Sequence, residues 1–141
     1  MFCFERKEKG IYCELADGIN LPLTLDCGQA FRWRPEGDGF RAAVGDNLIS
    51  VREEGRGLLF SADCASDALE QTVTTYFDLD RDYKKIADSF VKEENLNSAI
   101  RYGEGMKILK QDFWEALISF IISQNNNITR IKGIIARLSM K

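Results

Sequence analysis

The stretch FRWRPEGDGFRAAVGDNLISVREEGRGLLFSAD (31–63) decides the fold class. Within it FRWRPE (31–36), GFRAAV (39–44), NLISVREE (47–54) and GLLFSAD (57–63) are short segments with partial apolar–polar alternation. Turn signals such as GDG and GDN separate them. Closely spaced strands joined by tight turns predict an antiparallel meander. Upstream, IYCEL (11–15) reads as another strand. NLPLTLDCGQ (20–29) reads as a short helix or turn, with Asn20 as its cap and Pro22 tolerated in the first turn.

From Ser66 the period of the apolar residues lengthens. SDALEQTVTTYFDL places Leu69, Val73, Tyr76 and Phe77 on one helical face. DYKKIADSFVKEENLNSAIRYG supplies Tyr83, Ile86, Phe90, Leu96 and Ile100, which predicts two helices ending near Gly103. QDFWEALISFIIS opens at a credible cap, Asp112, and is apolar on nearly every side, so it is expected as a central, buried helix. The segment from Ile128 to Lys141 gathers Ile128, Ile131, Ile134, Ile135 and Leu138 into one stripe, with Arg130, Arg137 and Lys141 opposite. The fold class is therefore α+β: an antiparallel sheet followed by helices, dividing into residues 1–104 and 105–141. The last helix runs out at ARLSMK without Gly, Asn or Pro to end it, so it reads as interrupted, and its isoleucine stripe predicts self-association.

Composition narrows the function. The 141 residues are 45% hydrophobic and 11% aromatic, enough for a packed core. The four cysteines, Cys3, Cys13, Cys27 and Cys64, form no CxxC pair, and there is no histidine, so neither a metal site nor a cofactor is expected. Reduced thiols and a charged N-terminus, MFCFERKEKG, point to a cytoplasmic protein without a signal peptide; a nuclear address fits equally for a eukaryotic source. ALISFII is far too short for a membrane span. Net charge is −3, but its distribution is uneven. No acid follows Glu115, whereas Arg130, Lys132, Arg137 and Lys141 do, an asymmetry that suits a polyanion near one end and equally a solvated basic helix face.

Two short stretches are unusual for their context. In SQNNNITRI (123–131), three asparagines separate two helical segments. Asn126 or Asn127 can cap the second helix, which explains one asparagine but not three. The functional alternative uses the free N–H groups of that helix start, the amides of Asn125, Asn126 and Asn127, and the planar fork of Arg130 to read a base edge or a phosphate. In CGQAFRWR (27–34), Gly28 permits close approach to its backbone, though a turn glycine is the plainer explanation. Phe31 and Trp33 alternate with Arg32 and Arg34, so one pair is expected to face the core. GEG (103–105) lacks the context of a phosphate loop, and Asp78, Asp80 and Asp82 lack the glycine and glutamate of a calcium loop.

CGQAFRW, YFDLD and LKQDFWEALISFIISQNNNITRIKGIIARL, in that order, closely resemble the N-terminal half of the 8-oxoguanine DNA glycosylases of the helix–hairpin–helix superfamily, from about Leu21 to Lys141. The resemblance implies a TBP-like sheet domain followed by the opening helices of a helical domain. It also implies double-stranded DNA containing 8-oxoguanine paired with cytosine as partner, base flipping, and attack on the sugar by a lysine. Gly28 then lies where a backbone carbonyl meets the flipped base, with Phe31 beside it; Asn125 enters the gap left by that base, and Arg130 contacts the widowed cytosine. Gln29, Asn126 and Asn127 are lesser candidates for such contacts. Cys27 stands where many relatives have serine. Nothing in the chain matches the family's helix–hairpin–helix turn, its nucleophilic lysine or its assisting aspartate, so the 141 residues alone are expected to be inactive. Alternatives are a non-catalytic DNA-binding or interaction domain that shares the fold, and a glycosylase for another purine.

Overall fold

The computed structural model describes residues 3–15, 18–63, 66–90 and 94–139. Cys64 and Lys141, named above, lie outside the described residues. Six strands form one antiparallel sheet: β1 (Phe4–Lys7), β2 (Gly10–Glu14), β3 (Arg34–Glu36), β4 (Gly39–Val44), β5 (Asn47–Glu54) and β6 (Gly57–Ser61), ordered β1-β2-β6-β5-β4-β3. The expected meander is β3 through β6. Its register pairs Phe40 with Val51 and Val51 with Phe60, and its turns carry Gly37, Gly45 and Gly55 at positive φ.

Alternation sorts the strands into two faces. Ile11, Cys13, Ala42, Val44, Ile49, Val51, Leu58 and Phe60 are buried on one of them. Helix α2 (Ser66–Tyr76) covers that face with Leu69, Val73 and Tyr76, and Phe77 follows just beyond its end. The periodicity expected of this helix is thus realised as the centre of the core. Phe60 and Phe77, both fully buried, meet edge to face at 5.3 Å, and each contributes about 1.5–3 kcal/mol by burial alone. Trp33 joins them, its indole N–H donating to the Tyr76 hydroxyl at 3.0 Å. Burial pushes that phenol up to about 12, so it stays protonated as the core's polar pivot.

The remaining helices are α1 (Leu21–Leu25), α3 (Tyr83–Ser89), α4 (Glu94–Tyr102), α5 (Phe113–Ser123) and α6 (Ile128–Leu138). Asn20 caps α1 by accepting from the Leu23 amide, with proline in the first turn, as expected. Asp112 caps α5, accepting from the amides of Trp114 and Glu115.

The structure departs from expectation at four places. Strand β1 was not anticipated, because in FERK only Phe4 is apolar and charge hides the alternation. FRWRPE is a strand only at Arg34–Glu36; Phe31 to Trp33 are irregular, held by contacts outside the sheet, and Pro35 fits because β3 is an edge strand. Helix α5 is not enclosed: only Ser119 is buried, while Phe113 (78%), Trp114 (66%), Phe120 (64%) and Ile121 (57%) face outward. Among the described residues too few elements surround it to cover every side of so apolar a helix. The stripe on α6, expected to find little to pack on, is covered in its middle at Ile131 and Ile135 and open at Ile128 and Leu138.

Segment 105–111 is stitched to the first part of the chain rather than leaving it. Asn20 donates its amide to the Gly105 carbonyl, Lys107 donates to the Thr24 hydroxyl, and Lys110 donates to the Tyr76 carbonyl. Asp78, buried and at φ 51°, holds the same join from below. Its carboxylate takes Lys110 at 2.6 Å, the Tyr83 hydroxyl at 2.9 Å and Arg81; the Tyr83 oxygen in turn accepts the Ile108 amide. Burial works to raise this carboxyl, but hydrogen bonds from Lys110, Arg81 and Tyr83 outweigh it and hold it below the ordinary 3.8. Its stabilisation is therefore complete above that ordinary value and is lost as pH falls towards the lower folded one. Asp78→Ala should cost about 2 kcal/mol, a low figure for a buried paired carboxylate because half-exposed Lys110 and Arg81 regain water. Urea titrations at neutral pH and near pH 3 would check this: the gap between the two proteins should narrow in acid.

Candidate nucleic-acid interface

The loop from Asp26 to Trp33 and the start of α6 carry most of the candidate residues, and each is built by identifiable bonds. Gln29 is the loop's anchor. Its side-chain N–H groups donate to the carbonyls of Thr24 and Lys107, both at 2.8 Å, and its side-chain oxygen accepts the Leu109 amide at 3.0 Å. Its backbone carbonyl accepts from the Gln111 side chain. The carboxamide of Gln29 is thus committed inside the chain. Arg32 reaches Glu115 in the first turn of α5 at 3.2 Å, fastening the loop's far end.

Held this way, Gly28 takes φ 95°, a conformation that disfavours any side chain. The atoms nearest to where a Cβ would stand belong to Ile128, at 3.6 Å. Lys132, one turn along α6 from Ile128, pairs with Asp26 at the end of α1. Gly28 and the first turn of α6, far apart in sequence, are therefore neighbours.

The three asparagines divide their work. Asn127 caps α6, its side-chain oxygen accepting the Arg130 amide at 3.0 Å. Asn126 closes the end of α5, donating to the Ile122 carbonyl at 3.0 Å and accepting from the Asn127 amide. Asn125 makes the turn, at φ 50°, a left-handed conformation that asparagine tolerates better than most residues. It is exposed, and its amide has no hydrogen-bond partner among the described residues. The Arg130 guanidinium is likewise exposed and unpaired among them. One donor–acceptor amide and one planar cation are left facing solvent at a helix start, where backbone N–H groups are also unsatisfied.

Phe31 is half-buried and lines a cleft of about 520 Å³ with Arg32, Arg34, Arg41, Ile135 and Ser139. Arg41 is paired with Glu36 at 2.9 Å. Sequence reasoning missed Asp26, Lys132, Glu115 and the hub around Asp78. Asp26 and Lys132 carry no local signature, since 106 positions separate them, and Asp78 enters the sequence reading as a rejected calcium ligand and as part of YFDLD, not as an ion-pair hub.

The sheet-and-helix frame that brings the Gly28 backbone to the start of α6 is shared with an 8-oxoguanine glycosylase/lyase of known structure. Superposition agrees: MBOgg1 in complex with a low-affinity DNA ligand matches with a TM-score of 0.85 and 38% identity over 94% of this chain and 46% of that one. The Clostridium acetobutylicum 8-oxoguanine glycosylase/lyase, solved with double-stranded DNA containing cytosine opposite 8-oxoguanine, matches at 0.84 and 30%, covering 92% and 45%. Residues 11–117 match the family of the 8-oxoguanine DNA glycosylase N-terminal domain, and the chain belongs to that family. Among curated relatives, the Saccharomyces cerevisiae N-glycosylase/DNA lyase is 35% identical over 124 residues (79% of this chain). The Arabidopsis thaliana N-glycosylase/DNA lyase OGG1 is 28% identical over 123 residues (83%). The chain spans 33% and 34% of these two relatives' lengths.

Replacing Gln29 with alanine should cost about 2–3 kcal/mol, because the Leu109 amide and two carbonyls lose their partner in a partly buried seam. Thermal denaturation of Gln29→Ala beside a surface control such as Arg56→Ala would measure it.

Proposed function

We propose that this chain is the N-terminal portion of a base-excision-repair DNA glycosylase and AP lyase acting on 8-oxoguanine opposite cytosine, and that it supplies recognition on both strands. The observation that carries this reading is the division of labour in SQNNNITR: Asn126 and Asn127 are occupied in holding the turn, while Asn125 and Arg130 are left unoccupied at a helix start whose Ile128 packs on Gly28. The names of the relatives, N-glycosylase/DNA lyases and a glycosylase/lyase solved on cytosine opposite 8-oxoguanine, support the same substrate.

The chemistry of each contact is simple. Oxidised guanine carries a hydrogen on N7 where guanine has a lone pair. A Gly28 carbonyl facing that position accepts a hydrogen bond from the first and repels the second. An unmet polar atom in such a pocket costs about 1–3 kcal/mol, which favours the lesion. Phe31, three residues further along the same loop, supplies an apolar wall for the base. Asn125 fills the gap left by the flipped base, and Arg130 grips the cytosine that lost its partner through its planar donor fork. Gln29, Asn126 and Asn127 serve by holding these groups in place. No lysine of this chain matches the family's nucleophile, so excision is assigned to residues outside these 141. Among the described residues no helix is long and apolar enough to cross a membrane.

Fluorescence anisotropy on duplexes with 8-oxoguanine or guanine opposite cytosine tests the proposal. The chain should prefer the lesion, and its binding should weaken steeply with salt. Asn125→Ala and Arg130→Ala should each lose about tenfold in affinity for the lesion duplex. Asn127→Ala should cost about 1 kcal/mol of stability and leave the preference intact. Borohydride trapping with this chain should give no adduct. Equal binding to both duplexes would overturn the reading.

The apolar side chains left open on α5 carry the self-association expected from α6, whose own stripe is half covered. Scattering mass should rise with concentration, and Phe120→Glu should suppress the rise.

A further inference from the structure

We infer that Asp26, Ile128 and Lys132 are positioning residues that fix the Gly28 loop against the start of α6, so that the lesion and the opposite base are read as one pair. The inference rests on the functional reading above. Two contacts one helical turn apart carry it. Ile128 lies over Gly28, its Cδ1 3.6 Å from where a Cβ would be. Lys132 pairs with Asp26, two residues before Gly28. Ile128 and Lys132 share a face of α6 by their spacing of four, while Arg130, between them, points away without a partner among the described residues. The turn that presents Asn125 and Arg130 is therefore gripped from behind by the loop that presents Gly28. The hydrogen bonds and ion pair of Gln29 and Arg32 run to residues 107–111 and to α5, not to α6, so at the Gly28 end of the loop Ile128 and the Asp26–Lys132 pair are what hold it to α6.

The pair is partly solvated, with side chains 37% and 53% exposed, so it contributes little to global stability. Its effect belongs in discrimination, and being ionic it should fade as salt rises. Changes in net charge alter attraction to every duplex alike and cancel in the ratio of affinities for 8-oxoguanine:cytosine over guanine:cytosine.

Asp26→Lys and Lys132→Asp should each lower that ratio about two- to fourfold at low salt, and the charge-swapped double variant should restore it. Ile128→Ala should lower it with no dependence on salt. The Gly28 amide resonance, followed without DNA, should shift in both single variants and return in the swap. Single variants that leave the ratio unchanged, or a swap that does not restore it, overturn the inference. An unmoved Gly28 resonance overturns the clamp whatever the DNA result. If the unaltered chain shows no lesion preference while the resonance behaves as expected, the functional reading fails, and the positioning role falls with it although the clamp itself stands.

Discussion

The structure depends on one carboxamide. Gln29 offers two donors and an acceptor to three backbone groups, on both sides of the seam between α1 and segment 107–109. Among neutral side chains only a carboxamide offers two N–H donors and an oxygen acceptor in one plane, and asparagine is one methylene shorter. A glutamate would turn the donors into acceptors facing two carbonyls; a leucine would offer none of the three groups a hydrogen bond. Because the loop is pinned here, next to Gly28, that glycine can hold a positive φ, and Trp33 can leave the sheet plane to reach Tyr76. Asp78 secures the opposite end of the same seam with charge instead of amide bonds. The β part and the helices α5 and α6 are thereby coupled by polar contacts at defined points, not by a broad apolar face.

Much of this was legible in the sequence because it follows local periodicity. Alternation with glycine turns gives β4 to β6, and the spacing of Leu69, Val73, Tyr76 and Phe77 gives α2 and the centre of the core. Capping chemistry gives Asn20 and Asp112, and narrows the cap of α6 to Asn126 or Asn127, of which Asn127 takes the role, since each cap acts within three residues. What was hidden is what distance in the chain hides. β1 owes its place to pairing with β2, not to its own residues. Trp33 is buried through Tyr76 and Phe77, not through strand alternation. The residues of the candidate site separate in the same way. The asparagine turn could be read directly, and Gly28 through resemblance, but the ion pair of Asp26 with Lys132 joins positions with no pattern between them.

Helix α5 shows a different limit. A segment apolar on nearly every side specifies that it wants cover, and says nothing about where the cover comes from. In the described residues α6 and the loop through Arg32 and Glu115 supply part of it. The outward Phe113, Trp114 and Phe120 leave a run of exposed apolar surface along this helix.

The two ends of the sheet have an opposite character. β1 borders it with Glu5, Arg6 and Lys7 exposed, and β3 borders it with three exposed residues, one of them Pro35. Charge along one border, and a short strand lacking an amide hydrogen on the other, discourage a foreign strand from adding to either side. Cross-β stacking is thus disfavoured at the margins of a sheet that would otherwise be a ready template. Should copies of this chain clump at high concentration, the deposits should be helical and amorphous in character, without the ordered repeat of a fibril.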